Sequence, residues 1–272
     1  MKNGGGSDLK YRAASVAVLV PVVLAVTWLG GWAFTAMWLL ASVIVLNEWA
    51  VMICLPRRQL LLGIGGLGLL ASAILLHVGS LPLALLVVLA GAVIGAFVVP
   101  EKRGWAFWGV VVAGAALVPV VALRGSGSLG MFAIFYLYAV VWATDIFAYF
   151  TGRTLGGPKL WPRVSPNKTW SGALGGVLAG AVAAALLALG AGLPGAGPLV
   201  GLAVLLSIMS QAGDLAESSI KRLCGVKDAG CLIPGHGGIL DRLDGFIVAA
   251  AMALLIALLR GGMEPAVGLM MW

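Results

Sequence analysis

Of the 272 residues, 61% are hydrophobic and another 40 are glycine, while only 10% are charged; a soluble domain is about half apolar and about a quarter charged. That balance excludes a soluble globular domain, a disordered chain, a collagen-like repeat and a disulfide scaffold, and it points to an integral membrane protein. The formal net charge of +7 then describes which side of a bilayer each loop occupies, and no nucleic-acid partner is expected.

Nine apolar runs are long enough to cross about 30 Å of hydrocarbon. They lie roughly at 14–29, 33–55, 60–77, 82–100, 105–123, 129–150, 172–193, 197–213 and 243–260. The first follows Lys2, Lys10 and Arg12, but Thr27-Trp28-Leu29-Gly30-Gly31-Trp32 is a poor cleavage site, so it reads as a spanning helix and not a signal peptide. Starting with the amino terminus in the cytoplasm, nine crossings place 15 of the 17 Lys and Arg residues on the inner side and only Arg124 and Arg260 outside, as the positive-inside rule requires. The expected fold is an all-α polytopic membrane helix bundle with its carboxyl terminus outside. It is one transmembrane domain over residues 1–272, with N-terminal helices in 1–123 and a catalytic part in 129–260.

Most connections are short and rich in Gly, Pro and Ser, such as Arg124-Gly125-Ser126-Gly127-Ser128, as turns between antiparallel helices should be. In the seventh run Gly172, Gly176 and Gly180 recur every four residues, a ridge that lets helices approach closely within the bundle or across a dimer. Cys54, Cys224 and Cys231 form no CxxC pair and read as free thiols. The spacing of Cys224, Cys231 and His236 fits no common zinc pattern.

The two longest connections, 151–171 and 214–242, both fall on the inner side and hold most of the reactive side chains. If the eighth helix continues past Gly213, then Asp214, Glu217, Ser218 and Lys221 share one face. Asp241 and Asp244 share a face at the start of the ninth. Two acidic pairs on neighbouring helices make an all-oxygen site suited to a hard cation such as Mg²⁺, which takes a few carboxylates plus substrate phosphates. Solvated helix-end charges are the plain alternative. Arg222, Lys227 and Arg242 interleave with these acids, the mixture a reaction between two phosphate compounds needs.

The earlier connection adds Ser165-Pro166-Asn167-Lys168-Thr169-Trp170, in which Lys168 is expected in a short polar turn just before a helix start suited to an anion. No GxxxxGK[ST] spacing is present, so it is not a Walker loop. Trp161 and Trp170 read as interface anchors. His236, between glycines, could act as a proton donor or acceptor near neutral pH. Glu48 and Asp145 lie deeper in apolar runs, where an ionisable group is costly unless it pairs or lines a wet cavity. For Glu48 a structural hydrogen bond is an equal alternative.

Ser218-Ser219-Ile220-Lys221-Arg222, then Lys227-Asp228, then Pro234-Gly235-His236-Gly237-Gly238-Ile239-Leu240-Asp241-Arg242-Leu243-Asp244 resemble the signature of the phosphatidate cytidylyltransferases, the CDP-diacylglycerol synthases. The segment 165–170 is similar to that family's upstream motif, following a helix with Asp145 and the pair Gly152-Arg153. Ser171 departs from the pattern, since many members carry Glu or Gln there. The resemblance implies a multi-pass inner-membrane enzyme, a homodimer with its active site facing the cytoplasm, that converts CTP and phosphatidic acid to CDP-diacylglycerol and pyrophosphate. It implies Mg²⁺ bound through Asp214, Asp241 and Asp244, with Glu217 beside them from the helical spacing, and K⁺ as a companion ion.

The expected catalytic set is Asp214, Lys221, Asp241 and Asp244. Ser165, Asn167, Lys168, Ser218, Arg222, Lys227, His236 and Arg242 are expected to bind substrate. Two rival readings are another CTP-dependent or CDP-alcohol lipid phosphotransferase, and a cation-coupled transporter built on Glu48 and Asp145.

Overall fold

The computed structural model of the chain describes residues 5–193, 195–230, 232, 237–261 and 264–272, with side chains from residue 17 onward. Among the described residues ten α-helices succeed one another: α1 (Gly5–Leu29), α2 (Gly31–Met52), α3 (Arg58–His77), α4 (Leu81–Val98), α5 (Arg103–Arg124), α6 (Ser128–Leu155), α7 (Trp170–Gly190), α8 (Ala196–Leu223), α9 (Leu240–Gly261) and α10 (Pro265–Met270). Eight of them, α2 to α9, are long and apolar enough to cross a membrane, α5 together with the short turn before it. The apolar part described for α1, Ala17–Leu29, is shorter. The nine expected spans therefore correspond to eight long helices and this shorter one.

Two features were not anticipated. The connection after α6 contains an antiparallel hairpin of β1 (Lys159–Trp161) and β2 (Ser165–Thr169), with Lys159 opposite Thr169 and Trp161 opposite Ser165. Lys168 thus stands on a strand and not in a turn. The short helix α10 follows the last span.

The chain divides into two compact units, one of Met1–Val121 with Cys224–Leu243 and the other of Ala122–Leu223 with Asp244–Trp272. In the first unit α3 packs on both α2 and α4, and small residues set the closeness. A Cβ at Gly109 would stand 2.6 Å from the Trp49 ring, whose Nε1 donates to the carbonyl of Trp105 at 2.9 Å. Basic side chains tie the helix ends at the turns: Lys102 Nζ donates to the Ile53 carbonyl at 2.6 Å and Arg57 to that of Val98 at 2.9 Å.

In the second unit the glycine ridge of α7 meets α6. A Cβ at Gly172 would come within 2.7 Å of the Ala148 carbonyl oxygen, and one at Gly176 within 2.8 Å of that of Thr144. The ridge is therefore bundle packing, of the small-residue kind that replaces a hydrophobic driving force inside lipid. A second pair of glycines joins α8 to α9: a Cβ at Gly213 would lie 2.8 Å from the Asp244 carbonyl oxygen, and one at Gly245 would lie 2.6 Å from Ser210 Oγ. These two absent side chains bring together the turns that carry Asp214 and Asp244.

Candidate active site

In the second unit four carboxylates, Asp145, Asp214, Glu217 and Asp244, stand with Lys168 and Lys221. α8 continues past Gly213 to Leu223, so the i, i+3, i+4, i+7 spacing becomes real contact. Ser218 Oγ donates to Asp214 Oδ1 at 3.3 Å, and Lys221 forms an ion pair with Glu217 one turn away. Both members of that pair are buried. Asp214, half-buried, is paired with Lys168 from β2, a contact that no local pattern could reveal. Asp145 from α6 lies within electrostatic range of Asp214 and Lys168. Asp244 lies within range of Asp214, Glu217 and Asp145, and its Oδ1 accepts the N–H of Gly245 at 2.6 Å.

The hairpin places Lys168 through two anchors. Thr169 Oγ1 caps α7 by accepting the N–H of Gly172 at 3.1 Å, a helix start of ordinary type. Its hydroxyl also meets Ser171 Oγ at 3.0 Å, and Ser171 donates to the carbonyl of Gly156. Ser171, the departure from the resembling motif, is thus engaged in holding the end of α6 to the start of α7. Gly152 allows this approach, because a Cβ there would lie 2.9 Å from Thr169 Oγ1. Arg222 Nε reaches the Val164 carbonyl at 3.4 Å, joining the end of α8 to the hairpin turn. Ser165 is partly covered, whereas Asn167 and Arg153 are exposed. Trp161 and Trp170 are about half exposed, as interface anchors would be.

Asp241 and Glu48 take a different part, within the first unit. Asp241, in the first turn of α9, accepts the N–H of Ala229 with both oxygens at 3.0 and 2.9 Å and that of Gly238 at 2.8 Å. Glu48 accepts the N–H groups of Ile239 and Leu240. Asp241 and Asp244 are one turn apart on α9, as their spacing predicts. Lys227 and Arg242 are exposed. His236 and Cys231 lie outside the described residues. Cys54 and Cys224 are free thiols; burial raises the pKa of the Cys224 thiol against the opposing charge of Lys102, which suits an unreactive group.

One residue in this region was missed by sequence reasoning. Ser210 sits one turn before Asp214, its hydroxyl buried against Gly245 and without a hydrogen-bond partner. Extending the Asp214 face one turn backward would have found it.

Among the described residues, no three His, Cys, Asp or Glu side chains stand close enough to hold a metal ion by themselves. The donor chemistry nevertheless fits a hard cation, because Mg²⁺ takes one or two carboxylates and completes its octahedron with water and phosphate oxygens. Asp214 and Asp244, brought together by the Gly213 and Gly245 contacts, are the carboxylates placed for that. Two lysines beside them supply fixed positive charge for phosphate groups. The arrangement suits chemistry on a polyphosphate at a membrane face.

Comparison with known proteins agrees in detail. Residues 10–259 match the model of the Cytidylyltransferase family. A phosphatidate cytidylyltransferase of Brucella abortus biovar 1 (strain 9-941) is 42% identical over 251 residues, covering 92% of this chain and 93% of the relative. That of Bacillus subtilis (strain 168) is 43% identical over 142 residues, 51% of this chain and 52% of the relative. That of Staphylococcus aureus (strain COL) is 42% identical over 121 residues, 44% and 46% of the two chains. With the match running through both loops that carry the acids and lysines, this chain belongs to the cytidylyltransferase family.

Proposed function

We propose that the chain is a phosphatidate cytidylyltransferase, transferring CMP from CTP to phosphatidic acid to give CDP-diacylglycerol and pyrophosphate. The observation that carries this reading is the near full-length likeness to a relative of that name. The eight apolar helices suit a lipid substrate.

In the reaction a phosphate oxygen of phosphatidate attacks the α-phosphorus of CTP. The new P–O bond forms as the bond to the β-phosphate oxygen breaks, and pyrophosphate leaves with that electron pair. Phosphatidate is already ionised near neutral pH, so the chain needs to supply little general base. Mg²⁺, held by Asp214 and Asp244 with Asp145 and Glu217 near, would neutralise the triphosphate and polarise the reacting phosphorus. Lys168 and Lys221 offset negative charge as the pyrophosphate departs, Lys168 exchanging Asp214 for phosphate oxygens. Ser165, Asn167 and Ser218 serve as hydrogen-bonding groups, and Arg222, Lys227 and Arg242 supply further positive charge for substrate phosphates. Asp241, which accepts the backbone N–H groups of Ala229 and Gly238, orders the loop that carries Lys227. K⁺ is a second ion of the same oxygen-rich region.

The family likeness supports placing the chain in the inner membrane, and the bias of its positive charges supports an amino terminus and active site toward the cytoplasm. It works as a homodimer.

Pyrophosphate release by detergent-purified protein tests the reading. It should require CTP, phosphatidate and Mg²⁺ together, fall to background on chelation with EDTA, and return on adding Mg²⁺. Release without phosphatidate, or undiminished release in EDTA, would contradict it.

A further inference from the structure

We propose that Glu48 is a positioning residue for this reaction: from α2 its buried carboxylate grips the first turn of α9 and so fixes where Asp241 and the loop before it stand. The proposal rests on the cytidylyltransferase reading and extends it to a side chain more than 160 residues before the nearest acid of the C-terminal signature.

Four observations carry it. Glu48 is only 5% exposed, in a helix long and apolar enough to span a membrane, where an ionised side chain is costly without partners. Its two oxygens each take one backbone N–H, Oε1 from Ile239 at 3.0 Å and Oε2 from Leu240 at 2.8 Å. These lie at the very start of α9, where N–H groups have no intrahelical acceptor and the helix dipole favours negative charge. The loop is also built to admit the carboxylate. A Cβ at Gly230 would stand 2.5 Å from Oε1, and one at Gly238 would stand 2.5 Å from Oε2.

Asp241 completes the arrangement. It binds the N–H groups of Ala229 and Gly238, so two carboxylates from different parts of the chain hold Ala229 and the stretch Gly238–Leu240. Glu48 fixes the helix start, and the helix start fixes Asp241 in the first turn of α9. Replacing a buried charged cap by an uncharged group need not cost much stability, but it releases the orientation of the turn. Glycines at 230 and 238 gain a physical reason: each leaves room for a distant carboxylate.

The test uses the purified full-length chain with Glu48→Gln and Glu48→Asp. Gln keeps the length but turns one acceptor into a donor facing an N–H; Asp keeps the charge but withdraws it by one methylene. Glu48→Gln should lower kcat/KM for CTP about 10- to 100-fold, the range for removing a group that orients a functional side chain. Both a higher KM for CTP and a lower kcat should contribute, with the KM for phosphatidate unchanged and elution in size exclusion as for wild type. Glu48→Asp should fall between. Hydrogen exchange should quicken at the amides of Ile239 and Leu240.

If Glu48 only supports folding, the variants will lose thermal stability or yield while the folded fraction keeps wild-type kinetic constants, and that result overturns the proposal. Unchanged exchange at both amides overturns it as well. If the wild-type chain makes no CDP-diacylglycerol, the functional reading fails instead, and the exchange comparison alone still decides whether Glu48 holds the turn.

Discussion

Replacing Asp214 by Asn is expected to leave a folded, monodisperse protein and to lower kcat for CDP-diacylglycerol formation at least about 100-fold, the loss typical of removing one preorganised electrostatic contact. Asp214 is tied to side chains from three helices and a strand of the second unit. It pairs with Lys168, accepts from Ser218, and stands within range of Asp145 and Asp244. Asn keeps the shape and an acceptor for Ser218 but loses the charge that a divalent cation requires. A purely structural role makes a different forecast. If Asp214 serves only to neutralise Lys168, Asp214→Asn should lose thermal stability, Asp214→Asn combined with Lys168→Met should regain it, and the folded single variant should keep its kcat. The account predicts that the folded single variant stays slow, because the cation-binding charge is absent. Steady-state kinetics and thermal unfolding of the two variants decide between them.

The second large effect concerns Lys221. Its ion pair with Glu217 is among the most enclosed charge contacts described: the side chains are 11% and 6% exposed. Removing one member of such a pair leaves a buried charge without its counter-ion and costs about 3–5 kcal/mol. Lys221→Met should therefore lower both stability and activity, which alone says nothing about catalysis. Lys221→Met combined with Glu217→Gln removes both charges, and it should regain most of the lost thermal stability. If Lys221 also offsets charge on the departing pyrophosphate, the double variant will remain at least about 100-fold slow despite folding well. Recovery of activity with stability would reduce the pair to packing.

The parts of this site that the sequence made legible are those within one helix. The spacing from Asp214 to Lys221 foretold a shared face, and α8 supplies it through Ser218 to Asp214 and Lys221 to Glu217. Asp241 and Asp244 followed the same periodicity. Apolar run length located the spans, though their ends moved: α8 runs to Leu223 because its C-terminal end exchanges apolar residues for a polar face without breaking the helical repeat.

What stayed hidden depends on contacts between distant segments. Nothing near Lys168 says that its partner is Asp214, and nothing near Glu48 points to Ile239 and Leu240. The hairpin escaped notice because its strands are only three and five residues long, with Pro162 directly after the first and Pro166 within the second, which obscures a period of two. The glycines at 213, 230, 238 and 245 looked like turn or packing residues in the sequence. The structure gives each a neighbour: Asp244 and Ser210 for the pair joining α8 to α9, and Glu48 for the pair in the loop.

The bond that breaks in CTP is the central claim, and the fate of label in CTP tests it most directly. Purified protein would be given phosphatidate, Mg²⁺ and CTP carrying label at either the α- or the γ-phosphorus, and the lipid extract counted. The account predicts that α-label enters the lipid as CDP-diacylglycerol while γ-label stays in water as pyrophosphate. Label from the γ-position in the lipid would mean phosphoryl transfer of the kinase type, and no label in the lipid from either position would contradict the cytidylyltransferase assignment.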